Sequence, residues 1–332
     1  MTRAAVYGTG SWGTAYSLVL ADAGTDVTMW GRRAEVVDDI NGGSNSAYLP
    51  DVPLPSRIRA TSDPMEAADG ADIVVLAVPS QTLRDNLTTW GSAIPSNAAV
   101  VSLMKGVELG TTKRMSEVIE EVGQVDPDRV VIVSGPNLAK EIAAKQPAAS
   151  VVAGRDERMA ELVAAACAAP YFRPYTGNDV VGTEIAGAVK NVIALAVGMA
   201  EGLGFGDNTK ATIITRGLAE TARLGVAEGA DALTFAGLSG MGDLIVTCES
   251  RHSRNRRVGE RIAEGWTLEQ ITGSSPMVAE GILTTRSARD LAARNQVEMP
   301  IAEQVYRLLF EGADPRQAVT ELMTREPKPE RA

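Results

Sequence analysis

Aromatic side chains are scarce, with four Phe, four Trp and six Tyr in 332 residues. The core must therefore be filled by Ala, Val, Leu and Ile, and a hydrophobic share of 45% is enough for a sizeable one. Cysteine is scarcer still. Cys167 and Cys248 lie far apart and form no Cys-x-x-Cys pair, which excludes a disulfide scaffold and a thiolate zinc site. Two buried thiols in a reducing compartment are expected. There is one histidine and no His/Cys/carboxylate cluster at ligand spacing, so no metal is expected. Basic charge is in deficit: 32 Lys and Arg against 42 Asp and Glu leave a net charge of −10. Such a field repels nucleic acid and anionic membranes, though not a small phosphorylated ligand held in a local basic pocket. No apolar run reaches the roughly 20 residues of a membrane span, and the best candidate, 185–199, is interrupted by Lys190 and Asn191. No signal-peptide core precedes the first apolar strand, so a cytoplasmic setting is expected. Repeats and low-complexity tracts are missing too, and the charged, proline-bearing end at 326–330 is expected to fray.

The length suits two domains. Short, continuously apolar runs at 4–7, 26–30, 73–78, 99–103, 130–134 and 150–153 alternate with helical stretches. That pattern predicts a doubly wound α/β fold, a parallel sheet covered on both faces. After about residue 176 strand signals vanish. Helices are predicted at 180–201, 210–224, 255–264, 284–294 and 301–310, so residues 1–178 form the sheet domain and 179–332 an all-helical one.

Gly8-Thr9-Gly10-Ser11-Trp12-Gly13 follows the first strand and opens a helix, the context a dinucleotide fingerprint requires. Gly8 makes the tight turn, Gly10 lets backbone approach a pyrophosphate, and Gly13 lets helix pack on strand. The second strand ends Trp30-Gly31-Arg32-Arg33 with no acid to bind a ribose 2′-hydroxyl. Two guanidinium groups favour a 2′-phosphate, hence NADP(H), with NAD(H) possible. A solvated Arg pair at a helix start is the alternative.

Hydride transfer to a ketone needs an acid for the developing alkoxide. The single His252 sits in a polar basic run and reads as a surface or phosphate-site residue. Two lysines in apolar surroundings are better candidates. Lys105 lies just past a strand's carboxyl end, where ligands bind in open α/β sheets. Lys190 shares a helix face with Gly187, Asn191 and Ala194, and burial there would lower its pKa. A Lys that snorkels to the surface is the alternative. Asp243 ends the glycine-rich turn 237–242 and could pair with Lys190 or merely cap a helix. Ser253-Arg254-Asn255-Arg256-Arg257 opens a helix and offers cations to a phosphate, the surface reading being stronger for Arg256 and Arg257. Gly135-Pro136-Asn137 follows another strand end.

The segments that carry most of this are GTGSWGTA at 8–15, LMKGVE at 103–108, SGPNLAKEIA at 134–143, EIAGAVKNVIALAVGMAEGLGFGDNTKA at 184–211, GLSGMGDLIVTC at 237–248, HSRNRRVG at 252–259 and VAEGILT at 278–284. In this order they closely resemble the bacterial-type NAD(P)-dependent glycerol-3-phosphate dehydrogenases, over nearly the whole chain. The resemblance implies a Rossmann-type domain followed by a helical domain like the C-terminal one of 6-phosphogluconate dehydrogenase. It implies reversible reduction of dihydroxyacetone phosphate to sn-glycerol 3-phosphate, supplying glycerol phosphate for phospholipids, and a homodimer. Lys190 would be the general acid/base, and Lys105 would contact both cofactor and substrate. Gly135, Asn137, Asp243, Ser253, Arg254 and Asn255 would complete the substrate pocket. Ser11, Trp12, Arg32, Arg33, Ala139, Arg254, Val278 and Glu280 would contact the dinucleotide. Asn137 stands where Ser or Thr is usual, and Trp12 where Tyr or Phe also occurs. A β-hydroxyacid dehydrogenase shares this fold and the lysine, and is set apart by the Ser253–Arg257 run. A non-catalytic NADP(H) sensor is the rival from another class, and a costly Lys in an apolar helix speaks against it.

Overall fold

The computed structural model describes residues 2–273, 280–326 and 329–330. Val278, expected at the cofactor, and Pro327 and Lys328 of the terminal segment expected to fray lie outside the described residues.

The strands are β1 (Arg3–Tyr7), β2 (Asp26–Trp30), β3 (Ile58–Thr61), β4 (Ile73–Leu76), β5 (Ala99–Ser102), β6 (Val130–Ser134), β7 (Ala148–Gly154) and β8 (Phe172–Gly177). The intervening helices are α1 (Ser11–Asp22), α2 (Ala34–Asn41), α3 (Pro64–Ala68), α4 (Leu83–Trp90), α5 (Met115–Val122), α6 (Ala139–Ala143) and α7 (Glu157–Cys167). One eight-stranded sheet results, in the order β3-β2-β1-β4-β5-β6-β7-β8. Its buried strands are mostly Ala, Val, Ile and Leu, with apolar layers on both faces. Three of the scarce aromatics form one cluster: Tyr7 stacks on Trp90 at 4.2 Å between centroids and leans on Trp30 at 5.6 Å.

The doubly wound sheet expected from the sequence is present, with one correction. Its strands are parallel except where β7 runs antiparallel to β6, pairing Ser134 with Val151. The link between them carries only the five-residue helix α6, so the chain turns back beside β6 instead of crossing over a full helix. Two strands escaped the sequence reading. The half-polar Ile58-Arg59-Ala60-Thr61 gives no apolar run, and β8 carries Pro174, which an edge strand tolerates.

The chain then becomes helical: α8 (Val180–Gly202), α9 (Asp207–Ala227), α10 (Asp243–Glu249), α11 (Arg254–Ala263), α12 (Leu268–Gly273), α13 (Glu280–Arg294), α14 (Pro300–Phe310) and α15 (Pro315–Met323). By length and composition alone α8 could cross a bilayer, yet 89% of its most apolar stretch is buried inside the protein. It is the core helix around which the others pack. Glu184, near its start, ties it to the sheet half by accepting from the Ser116 N–H at 2.8 Å, the Ser116 hydroxyl at 2.5 Å and Arg114 at 3.4 Å. Burial pushes the Glu184 carboxyl up, and the Arg114 charge opposes this.

α8 and α11 cross at backbone contact. A Cβ at Gly198 would stand 1.9 Å from the Arg256 carbonyl oxygen, and one at Gly259 would stand 2.2 Å from that of Leu195. Gly198→Ala or Gly259→Ala should each destabilise the protein by about 2 kcal/mol or more. Gly177→Ala, whose Cβ would meet only Val151 at 3.7 Å, should leave the melting temperature nearly unchanged. Thermal denaturation of the three variants checks the ranking.

Candidate active site

The turn Gly8–Gly13 joins β1 to α1 where the strand order reverses, between β1 and β4, the place where open α/β sheets bind ligands. Two of its glycines are demanded by packing. Gly8 has a φ of +127°, and a Cβ there would lie 2.5 Å from the Ala77 carbonyl oxygen beyond β4. A Cβ at Gly13 would lie 2.3 Å from the Gly8 carbonyl oxygen. Gly10 instead faces open space. Among the described residues no side chain caps α1, and its first turn holds no acid, so its N–H groups and dipole suit an anion. The turn is braced from a neighbouring loop. Asn45 donates to the Thr9 carbonyl at 2.9 Å and to the Thr14 hydroxyl at 2.8 Å, and the Ser11 hydroxyl donates to the Tyr48 carbonyl at 2.7 Å. Trp12 packs beside Tyr16 at 5.7 Å. These features fit a dinucleotide pyrophosphate. Arg32 and Arg33 are exposed just past β2. The Arg33 guanidinium lies over the Tyr48 ring at 5.2 Å and 3.6 Å from Glu35.

The second centre is a buried carboxylate shared by two ammonium groups. Lys105, three residues past β5, donates to Asp243 Oδ2 at 2.5 Å and to the Gly135 carbonyl at 3.2 Å. Lys190, midway along α8, donates to Asp243 Oδ1 and to the Thr247 hydroxyl. Thr247 is one turn after Asp243 on α10, and its hydroxyl donates to the Asp243 carbonyl oxygen at 2.6 Å. Asp243 is therefore an ion-pair partner and not a cap, and it is only 1% exposed. Lys190 is 7% exposed, so the snorkelling alternative does not hold. Burial pushes the Lys190 amine down to about 8; the Asp243 charge opposes this and the Lys105 charge adds to it. With both lysines protonated, the trio carries one net positive charge inside an acidic protein, which suits an anionic ligand.

The remaining predicted residues surround this trio at varying depth. Gly135 has a φ of +151° and lies against β7, a Cβ there meeting the Ala149 carbonyl oxygen at 3.1 Å. Asn137 accepts a hydrogen bond from Ser150 at 2.8 Å. Ala139 begins α6 and packs on the sheet core. Ser253 is the N-cap of α11, accepting from the Arg256 N–H at 3.3 Å. Arg254 is exposed. Asn255 is buried and structural on two sides: its amide donates to Asn191 at 2.9 Å, and its oxygen accepts from the Gly281 N–H at 3.0 Å. Arg256 is engaged by Glu201 and Glu260, and His252 is exposed; neither belongs to the buried centre. Glu280 opens α13. Burial pushes its carboxyl up, while the charges of Arg254, Lys105 and Lys190 pull the other way, so all four groups share one electrostatic neighbourhood. The sequence reading missed Thr247 and Asn45. Thr247 was within reach, being one helical turn beyond Asp243, whereas Asn45 sits in a polar loop with no pattern to mark it.

Comparison with known proteins agrees with this geometry. Residues 3–160 match the family signature described as NAD-dependent glycerol-3-phosphate dehydrogenase N-terminus, and residues 179–320 match its C-terminus. The chain belongs to the NAD-dependent glycerol-3-phosphate dehydrogenase family. It is 57% identical to the glycerol-3-phosphate dehydrogenase, NAD(P)+, of Streptomyces avermitilis over 99% of this chain and 98% of that one. It is 53% identical to the enzyme of the same name from Thermobifida fusca, over 100% and 99%. Among solved structures, the glycerol-3-phosphate dehydrogenase of Coxiella burnetii superposes with a TM-score of 0.92 at 36% identity, covering 98% of this chain and 99% of that one.

In this glycerol-3-phosphate dehydrogenase family member, Asp243 is the one group in the trio that raises the Lys190 pKa. Asp243→Asn removes that charge and leaves burial and the Lys105 repulsion in place, so the Lys190 amine should titrate below its present value of about 8. NMR titration of ¹⁵N-lysine ammonium signals checks the direction.

Proposed function

We propose that this protein reversibly reduces dihydroxyacetone phosphate to sn-glycerol 3-phosphate. The observation that carries the reading is the Lys190–Asp243–Lys105 trio, buried in the same protein as a dinucleotide cradle. When bound, the nicotinamide dinucleotide supplies or takes up the hydride. Gly8, Gly10, Ser11, Trp12 and Gly13 would hold its pyrophosphate end, with Ala139, Arg254 and Glu280 further along. Arg32 and Arg33, with no acid at the end of β2, favour the 2′-phosphate form.

In the reduction, Lys190 as an ammonium hydrogen-bonds the substrate carbonyl oxygen and gives it a proton as charge develops there. In the reverse direction the neutral amine takes the proton from the alcohol. An amine with a pKa near 8 serves both directions close to neutrality. Asp243 holds Lys190 and Lys105 at one place despite their repulsion, and Lys105 orients the same oxygen end. Gly135 and Asn137 form one wall. Ser253, Arg254 and Asn255 take the phosphate end; Asn255 has one amide hydrogen left for this after its bond to Asn191. The functional division lies between residues 1–178, which carry most of the cofactor contacts, and 179–332, which supply the proton donor together with Arg254 and Glu280. The reading carries with it a cytoplasmic homodimer that supplies glycerol phosphate to phospholipid synthesis.

Absorbance of NADPH should fall when dihydroxyacetone phosphate is added, and faster than with NADH. No oxidation with either cofactor sinks the proposal. Lys190→Ala should keep NADPH affinity and lose about 10²-fold or more in kcat. For the wild type, kcat/KM for ketone reduction should fall as pH rises through about 8, because the acid form of Lys190 is lost. Alcohol oxidation should rise through the same pH. Arg32→Ala with Arg33→Ala should raise the KM for NADPH about tenfold and leave that for NADH little changed.

A further inference from the structure

β7 is the strand that runs against its neighbour, and this reversal sets Ser150 beside the Gly135–Asn137 turn. Ser134 at the end of β6 pairs with Val151, so the chain leaving β6 passes directly over Ser150. The approach is close: a Cβ on Gly135 would stand 3.2 Å from the Ser150 Cα and 3.3 Å from its hydroxyl oxygen. Ser150 is fully buried, and its hydroxyl donates to Asn137 Oδ1 at 2.8 Å. The other end of the same amide behaves differently. Asn137 Nδ2 is buried and, among the described residues, has no hydrogen-bond partner. A buried donor left unmade is costly, and with the Ser150 proton spent on the amide oxygen the N–H₂ is the end open to a ligand. Two residues earlier, the Gly135 carbonyl receives the Lys105 ammonium. On its far side the turn meets the glycine before Asp243, with Pro136 3.7 Å from where a Gly242 Cβ would stand. Asn137 thus sits on a turn that borders the lysine–aspartate centre through Gly135 and Pro136.

We propose that Ser150 is a positioning residue of the substrate pocket: its hydroxyl fixes the Asn137 amide so that the N–H₂ group donates to an oxygen of the phosphorylated ketone. The inference rests on the reading under Proposed function. It makes the pocket wall a reader of acceptor oxygens, with the orientation of that reader set by a strand the ligand never touches.

Steady-state kinetics with dihydroxyacetone phosphate and NADPH test it, with NADPH affinity and melting temperature measured on every variant as checks of folding. Asn137→Ala removes the donor and should raise the KM for the ketone about 5- to 10-fold, with a smaller change in kcat. Asn137→Asp keeps the shape but turns an anionic oxygen toward an anionic substrate, and its KM should rise further, by tens of fold. Ser150→Ala frees the amide to rotate and should raise the KM about threefold. In an Asn137→Ala background the same Ser150→Ala change should have no further effect on KM. A purely structural serine would act equally in both backgrounds, so full additivity overturns the proposal. An unchanged or lower KM in Asn137→Asp also overturns it, because the amide oxygen would then be what faces the substrate. A wild type with no turnover at all would overturn the reaction itself, and this inference with it. A wild type that turns over beside variants that miss the pattern overturns the positioning role alone.

Discussion

One buried carboxylate joins the sheet to the helical half. Two ammonium groups cannot be brought within hydrogen-bond reach of one point in a protein interior without a countercharge, because desolvation and mutual repulsion both oppose it. Asp243 provides that charge, one oxygen to each lysine. The three residues come from separate places: the loop after β5, the middle of the core helix α8, and the first turn of α10. Holding them together therefore means docking the helical half on the carboxyl edge of the sheet. The buried Glu184 strut to Ser116 and Arg114 does part of this, one and a half turns before Lys190. The same countercharge tunes the chemistry, since it offsets part of the fall in the Lys190 pKa that burial causes.

The second constraint is closeness. The cofactor turn and the α8–α11 crossing both use glycine where a Cβ would strike backbone, but for different ends. At Gly8 and Gly13 the tight packing sets the start of α1 against the end of β4. At Gly198 and Gly259 it brings α11 against α8, which sets Ser253 and Asn255 near the face that carries Lys190 and Asn191. A chain poor in aromatics gains its core density this way, through small residues and backbone contact, and keeps three of its large rings for one cluster beneath the sheet.

What could be read from the sequence was whatever is local. The glycine turn, six of the strands, the long helices and the two lysines in apolar settings are each a pattern within about twenty residues of chain, and the structure contains all of them. What could not be read depends on distant partners. Asn45 braces the cofactor turn from a loop whose composition resembles any other loop. Asn255 looked like a free donor beside two arginines, yet its amide is tied to α8 and its oxygen to α13. Arg256, for which the surface reading was the stronger one, is instead half-buried and paired with Glu201. β7 has the apolar content of a parallel strand, and only the brevity of the link before it decides its direction. Edge strands β3 and β8 lack a continuous apolar run because one flank has no neighbour to bury it.

The division of labour follows from these placements. Most groups suited to gripping a dinucleotide lie on the sheet and its first turn, whereas Lys190, the proposed proton donor, and its countercharge lie on α8 and α10. Lys105 stands on the sheet side but is oriented by a carboxylate from the helical side. A sheet half by itself would keep the cradle and lose both the acid and the charge that aims Lys105. The lysine pair would equally lose its spacing if the two halves separated by the length of one hydrogen bond. The sensor alternative required only the cradle. A buried cationic pair held at this cost is explained by a reaction in which an oxygen gains negative charge between the two lysines, and binding alone gives no reason for it.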